Sequence, residues 1–445
     1  MNNRYLNLLK QYVGFRTVSL PGHQEPEQID NCLAFLITLF GNAGVKVELW
    51  KSELLNPILF AHYVKDKNLP TILVYGHYDV VAVNPDEWKV TSPFELKEKD
   101  GILYGRGATD NKGQNLVHIF TVTELIATGQ LACNVKFFIE GNEETGSAGI
   151  EKVIEEHKEE LKADYMLVSD GEMVGTTPVI ELSLRGLANI KVTVRTANKD
   201  NHSGLAGGAI FNSVVEASQL ILSLYSESHG QIEVPGFSQH LPTDLLWSGH
   251  VQTNNQKLAQ KVNLKEVFGV RNFSMALNPF TAIGLLPTIE VMGISAGNAH
   301  EGYKHIIPGE TKFGLNLRLV GQQDPHKMTD LVMEYLRKHA PDYVDLEMEA
   351  YSHHPPIRIN LSKEISDHLN FLLEKAYGEE PLEKFTGGGI PVVGHFMDIV
   401  GVKPLLIPLA NDTCNMHGVH ENIGVSFVEK ALAFSELFFS TRLPC

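Results

Sequence analysis

The chain holds four cysteines in 445 residues, Cys32, Cys133, Cys414 and Cys445, far apart and without a Cys-x-x-Cys pair. That excludes a cysteine zinc knuckle and fits a reducing compartment, so a cytoplasmic protein is expected. Long apolar runs are also missing. No stretch reaches the roughly 18 apolar residues of a membrane span. The N-terminal "MNNRYLNLLKQYVGF" has polar residues among its apolar ones, as an amphipathic helix does and a signal peptide does not. Basic residues are outnumbered, 37 Lys and Arg against 53 Asp and Glu, for a formal charge of −16. Nucleic-acid backbones and anionic membranes would be repelled, so neither is an expected partner. Substrate charge stays open, because bound cations reverse a local field. What is present is ordinary globular composition, 43% hydrophobic and 20% charged, in a sequence long enough for two domains.

Helical and strand patterns alternate over the first 180 or so residues. "TILVYGHYDV", "NVKFFIEG" and "ADYMLVSDGE" read as buried strands, and "QIDNCLAFLITLFGNAG" and "NLVHIFTVTELIATG" as helices. This order predicts a largely parallel sheet with helices on both faces, a three-layer α/β domain whose ligands gather at the carboxyl ends of the strands. From about residue 183 the order becomes strand–helix–strand–strand–helix–strand, which predicts an inserted α+β domain of ferredoxin-like type. The expected division is 1–182 with 355–445 for the first domain and 183–354 for the insert. "SHHPPIRIN" serves as the return linker, where Pro355 and Pro356 block a helix.

Singly, the candidate ligands have ordinary explanations. His77 and Asp79 suit a polar strand end, Asp110 a helix N-cap, Asp170 an Asx turn and His417 a surface loop. On a strand, residues two apart share a face, so Asp79 can orient the His77 ring. Together with Glu144, the residues His77, Asp110, Asp170 and His417 make five oxygen and nitrogen donors without a thiolate. One shared carboxylate with two ligands on each side suits paired zinc, cobalt or manganese. Such a pair, roughly 3.5–4 Å apart, can hold a hydroxide at neutral pH and polarise a carbonyl. The remaining need is a carboxylate near the water but off the metals, and Glu143, beside Glu144 in "EGNEETGS", meets it. Glu140 has no assigned role.

"GHYDV", "DGILYGRGATDNKGQ", "EGNEETGS", "SDGE", "NHSG", "GGGIP" and "HGVHEN" follow one another in the order and rough spacing of the di-zinc aminoacylase/carnosinase family of exopeptidases, which the sequence resembles over nearly its whole length. The resemblance implies an aminopeptidase-like catalytic domain with an inserted lid and dimerisation domain. It implies that Asp110 bridges two divalent metals, that His77 and Asp170 complete one site, and that Glu144 and His417 complete the other. Glu143 would be the general base and Asp79 the residue orienting His77. His202 would reach a partner subunit's site in a homodimer and stabilise the oxyanion; the alternative is a polar loop histidine. Arg318 would grip a substrate carboxylate, against the alternative of an ordinary strand arginine. The resemblance also implies a cis peptide at Asp110–Asn111.

Departures bear on substrate. Dipeptidases of this family usually read Arg-x-Gly-Gly-Ser-Ile-Pro where this sequence has "FTGGGIP", with Phe385 at the arginine position and Gly389 at the serine position. Gly388 and Gly389 remain candidate substrate contacts, with one or two hydrogen bonds fewer. His420 stands where the family tends to have Asn, and His395 is an alternative donor, though a core-facing helix position explains it better. The run from "HYDVVAVNPDEW" to "GILYGRG" looks closest to the dipeptidase branch. The expected function is therefore hydrolysis of dipeptides or C-terminal residues. N-acyl-amino-acid deacylation is the alternative, an inactive binding homologue is a third reading, and a metal phosphoesterase is disfavoured by the lack of a basic cluster.

Overall fold

The apolar run "TILVYGH" forms the strand Thr71–His77 in the middle of a nine-stranded mixed sheet, buried from Ile72 onward. In the computed structural model, which describes residues 2–52, 56–226, 231–298 and 304–444, this strand pairs in parallel with Asn134–Glu140 and Tyr165–Val168. Lys403–Leu406 extends the parallel set beside Tyr165–Val168. Ile58–Tyr63, Lys46–Trp50 and Val179–Leu184 close the flanks in antiparallel register. Helices Asn3–Gly14, Pro26–Asn42, Lys112–Ala127, Lys363–Tyr377 and Val425–Ser440 bury Leu9, Leu36, Val117, Leu369 and Phe434 in one core. Ile150, Val153, Val393 and Phe396 pack in a second cluster with Tyr75, Phe138 and Met166. Parallel strands covered on both faces must be apolar throughout, which is why they read as unbroken runs. Cys32, Cys133 and Cys414 are buried and free, and Cys445 lies outside the described residues. Among the described residues no helix is long and apolar enough to cross a membrane.

A second, four-stranded antiparallel sheet runs in the spatial order Thr288–Ala296, Glu310–Leu319, Gly186–Arg195, Asp345–His354. Alternation along Gly186–Arg195 turns Ala188, Ile190, Val192 and Val194 onto a core shared with Leu220 of helix Ser213–Ser223 and Val332 of helix Pro325–His339. Asp324 caps the latter helix by accepting from the His326 and Lys327 amides. The predicted ferredoxin-like order is present.

Between the first of these helices and Thr288 the sequence reading placed no element. The structure has four short helices there, Thr243–Leu246, Gly249–Lys261, Leu264–Val267 and Pro279–Leu285. They dock on the catalytic sheet. Leu258 and Phe280 bury with Val179 and Leu382, and Leu246, Val251 and Leu285 bury with Phe385. The polypeptide passes between the two sheets twice, at Leu184–Gly186 and at His354–Ile357. The second passage ends in the strand Ile357–Arg358, which pairs with Val179–Leu184. The passages touch: a Cβ on Gly186 would stand 2.7 Å from both the His354 carbonyl oxygen and the Pro356 nitrogen.

Candidate metal centre

Three strand ends and two loops converge at the carboxyl edge of the parallel strands. His77 ends its strand, and its Nε2 lies 3.0 Å from Asp110 Oδ1 and 3.6 Å from Asp170 Oδ2. His417 Nε2 lies 2.8 Å from Asp110 Oδ2 and 3.1 Å from Glu144 Oε2. Asp110 thus turns one oxygen toward each imidazole, and the five expected ligands form one connected cluster. Asp110 is not the helix cap; that position belongs to Asn111, and the Asp110–Asn111 peptide is cis. The Asn111 side-chain amide donates to Asp170 Oδ1 at 3.0 Å, which fixes that carboxylate from the side.

The donor set fits metal ions. His77 Nε2 is buried and makes no hydrogen bond, although carboxylate oxygens stand within reach. Distance without hydrogen-bond geometry suits ligands aimed at a common ion. Ligand atoms of His77, Asp110 and Glu144 lie within 4.8 Å of one another. The other ring nitrogen, Nδ1, donates to the Asp79 carbonyl oxygen at 3.1 Å, leaving a lone pair on Nε2. Asp79 therefore meets the ring through its backbone as well as through Oδ1, 3.3 Å away. Its carboxylate also accepts from the Glu143 and Glu144 amides at 3.2 and 3.1 Å, tying the glutamate turn to the His77 strand.

That turn separates the two glutamates. The strand Asn134–Glu140 ends, a 3₁₀ turn spans Glu143–Thr145, and Gly146 closes it at φ 84°. Glu144 Oε1 accepts from the Val81 amide while Oε2 faces His417. Among the described residues the Glu143 carboxylate has neither hydrogen bond nor ion pair. Glu140 sits beneath, accepting from the Tyr75 hydroxyl at 2.8 Å and from Ser147 Oγ at 2.7 Å. It thereby braces the far end of the turn. At Gly141 a Cβ would run into the Tyr78 ring. Gly141→Ala is expected to lower stability by about 1–3 kcal/mol, measured by chemical denaturation.

Charge is concentrated here. Burial pushes the Glu144 carboxyl up to about 7, with Asp110 adding repulsion. Burial and the neighbouring carboxylates of Asp170, Asp110 and Glu144 push Glu143 well above the ordinary range. Burial opposes ionisation of Asp110 too, but the two imidazoles of His417 and His77 outweigh it and hold that carboxyl low. His417, facing Asp110 and Glu144, rises to about 10. Four carboxylates against two imidazoles leave a negative site that cations would neutralise.

Other expected residues lie apart from this cluster. Arg318, on the strand Glu310–Leu319, donates from Nε to Asn316 and brings Nη1 within 4.0 Å of where a Cβ on Gly389 would stand. Arg318 and the glycine loop therefore do meet. Phe385 turns away into the apolar cluster against helix Pro279–Leu285, so nothing at that position replaces the family's arginine. A second guanidinium stands at the loop that sequence reasoning missed. Arg185 donates from its amide to the Gly388 carbonyl at 3.0 Å and from Nε to the Gly387 carbonyl at 3.2 Å. Burial, then the charge of Arg318, lowers its pKa to about 10. His202 is exposed on the short strand Asn201–His202, and among the described residues it has no hydrogen bond or ion pair with this cluster. Its Nδ1 accepts from the Gly204 amide at 3.0 Å, so its proton sits on Nε2, facing outward as a donor. His395 ends the helix Pro391–His395, and His420 accepts from the Lys89 amide and packs edge-on against Trp88. Alongside the His417 loop runs a cleft of about 820 Å³ lined by Glu172, Phe268, Asn415, Met416 and His420, among others.

Comparison with known proteins agrees with this geometry. The model of the peptidase family M20/M25/M40 matches residues 73–440. The human Beta-Ala-His dipeptidase is 29% identical over 397 residues, 86% of this chain and 77% of the relative. The Cysteinylglycine-S-conjugate dipeptidase of Corynebacterium striatum is 30% identical over 383 residues, covering 83% and 81%. The crystal structure of an M20 family metallo-carboxypeptidase from Sulfolobus solfataricus superposes with a TM-score of 0.86 at 27% identity, over 99% of both proteins. With its donor cluster, its two sheets and a family match spanning most of its length, the chain belongs to the peptidase family M20/M25/M40.

Proposed function

We propose that this protein is a metal-dependent dipeptidase that hydrolyses the amide bond of short peptides bearing a free carboxylate. The observation that carries the reading is the Glu143 carboxylate, unpaired beside a cluster in which Glu144 is engaged. In this reading His77 and Asp170 would hold one divalent ion, Glu144 and His417 a second, and Asp110 would be shared by both. Zinc is the expected ion, with cobalt or manganese as substitutes, because the donors are imidazoles and carboxylates. When bound, two such ions lower the pKa of a water and polarise a carbonyl oxygen. Glu143 takes the proton of the attacking water and hands it to the leaving amine. Arg318 and Arg185 face the substrate carboxylate from either side of the glycine loop, supplying the positive charge that Phe385 does not. The dipeptidase activities named for the human and Corynebacterium relatives support this substrate class.

A homodimer through the inserted domain completes the reading. The strand Thr288–Ala296 is an edge strand with Met292 and Ile294 exposed, and Val215 and Leu222, seven residues apart, are exposed on one stripe of the helix Ser213–Ser223. Unpaired edges and apolar stripes of this kind invite pairing with a second copy.

The missing arginine and serine of the glycine loop favour a second reading, N-acyl-amino-acid deacylation. A screen of unblocked dipeptides beside N-acetylated and N-succinylated amino acids, with zinc present, separates the two. Dipeptides are expected to give kcat/KM at least roughly tenfold higher; preference for the acylated compounds would replace the first reading with the second.

A further inference from the structure

Glu421 is fully buried and Arg106 nearly so, and neither has a part in the chemistry described above. Glu421 Oε1 accepts from the amides of Thr109 and Asp110 at 2.8 and 2.9 Å. Its Oε2 accepts from the Gly107 amide at 2.9 Å and from Arg106 Nη1 at 2.6 Å. Arg106 Nη2 then donates to the carbonyls of His417 and Gly418 at 3.1 and 2.9 Å. The guanidinium is covered by the Trp88 ring, 5.6 Å from its centroid. Two side groups, one acidic and one basic, therefore link the backbone N–H of Asp110 to the backbone carbonyl of His417. Those residues supply the shared carboxylate and the most exposed ligand of the metal centre. A buried ion pair by itself is poor evidence of stabilisation. Of the four hydrogen bonds Glu421 accepts, three come from backbone amides of the Asp110 loop, and Arg106 Nη2 gives both of its bonds to carbonyls of the His417 loop, while Arg106 Nε is buried without a partner.

We infer that Glu421 is a positioning residue that, through Arg106, sets the spacing between Asp110 and His417. The inference rests on the assignment of those two residues as metal ligands. Both carboxylate oxygens accept twice, so glutamine cannot stand in: its amide nitrogen would face N–H donors on one side or the other. Arg106→Lys keeps a charge beside Glu421 but loses the fork to the His417 loop.

The test strips metal from wild type, Glu421→Gln, Arg106→Lys and His417→Ala and titrates each with Zn²⁺ in equilibrium dialysis, with circular dichroism to confirm folding. Both strut variants are expected to bind the second zinc equivalent roughly 10–100-fold more weakly, and to lose kcat with KM little changed. A merely structural role would lower the melting temperature and leave the zinc isotherm of the folded protein as in wild type, which overturns the inference. If Glu421→Gln does not fold, Arg106→Lys decides alone. If His417→Ala itself binds two equivalents like wild type, the ligand assignment has failed and takes this inference with it. If His417→Ala loses an equivalent while both strut variants bind normally, only the strut is wrong.

Discussion

Glu143→Ala is expected to lower kcat by about 10²–10⁴-fold, the usual contribution of a positioned proton carrier. Zinc content should stay as in wild type. The two halves of this result separate Glu143 from its neighbour. Glu144 faces His417 at 3.1 Å and accepts from Val81, so its removal strips a donor from the cluster. The Glu143 amide holds Asp79, but among the described residues its carboxylate has no hydrogen bond or ion pair, and alanine leaves that amide bond in place. Metal analysis alongside steady-state kinetics checks both. Loss of metal in Glu143→Ala would move this residue into the ligand set and leave the proton carrier unnamed.

His202→Ala is expected to cost about 10²–10³-fold in kcat, as removal of one oxyanion donor does. Its ring has the required tautomer, with Nδ1 occupied by the Gly204 amide and Nε2 left to donate. Among the described residues it has no hydrogen bond or ion pair with the cluster, and in the proposed homodimer it would serve the partner's site. Mixing His202→Ala subunits with Glu143→Ala subunits should restore activity. In the mixed dimer one site keeps Glu143 and receives His202 from the other subunit. No recovery from a mixture that light scattering shows to be dimeric would place the histidine's action within its own subunit or outside catalysis.

The candidate ligands were legible because metal chemistry admits few residue types, and parallel strands deliver them to one edge. His77, Asp110, Glu144, Asp170 and His417 each follow an apolar run or a glycine turn that announces where the strand stops. What braces them was hidden. Glu140 works through Tyr75 on the neighbouring strand and Ser147 beyond the turn. Glu421 works through backbone amides, which leave no trace in residue identity. The four helices between Thr243 and Leu285 escaped for another reason. Three have only four to seven residues, too short for a 3.6-residue period to stand out, and they bury their apolar residues on a sheet distant in sequence. Arg185 read as a strand residue; its meaning comes from the loop it meets two hundred residues later.

The two passages between the sheets lie side by side at Gly186, His354 and Pro356. Adjacent crossings alone would leave the inserted sheet free to turn about them, but the helices Gly249–Lys261 and Pro279–Leu285 of the same segment are docked on the catalytic sheet and tie the two together. Arg318, carried by the inserted sheet, meets the Arg185-bound glycine loop that follows the catalytic strand Leu382–Phe385. A carboxylate held between them would draw the two sides together. The energy of recognising a charged peptide terminus would then add to the contacts that hold the inserted sheet against the catalytic one, and a peptide lacking that terminus would not supply it.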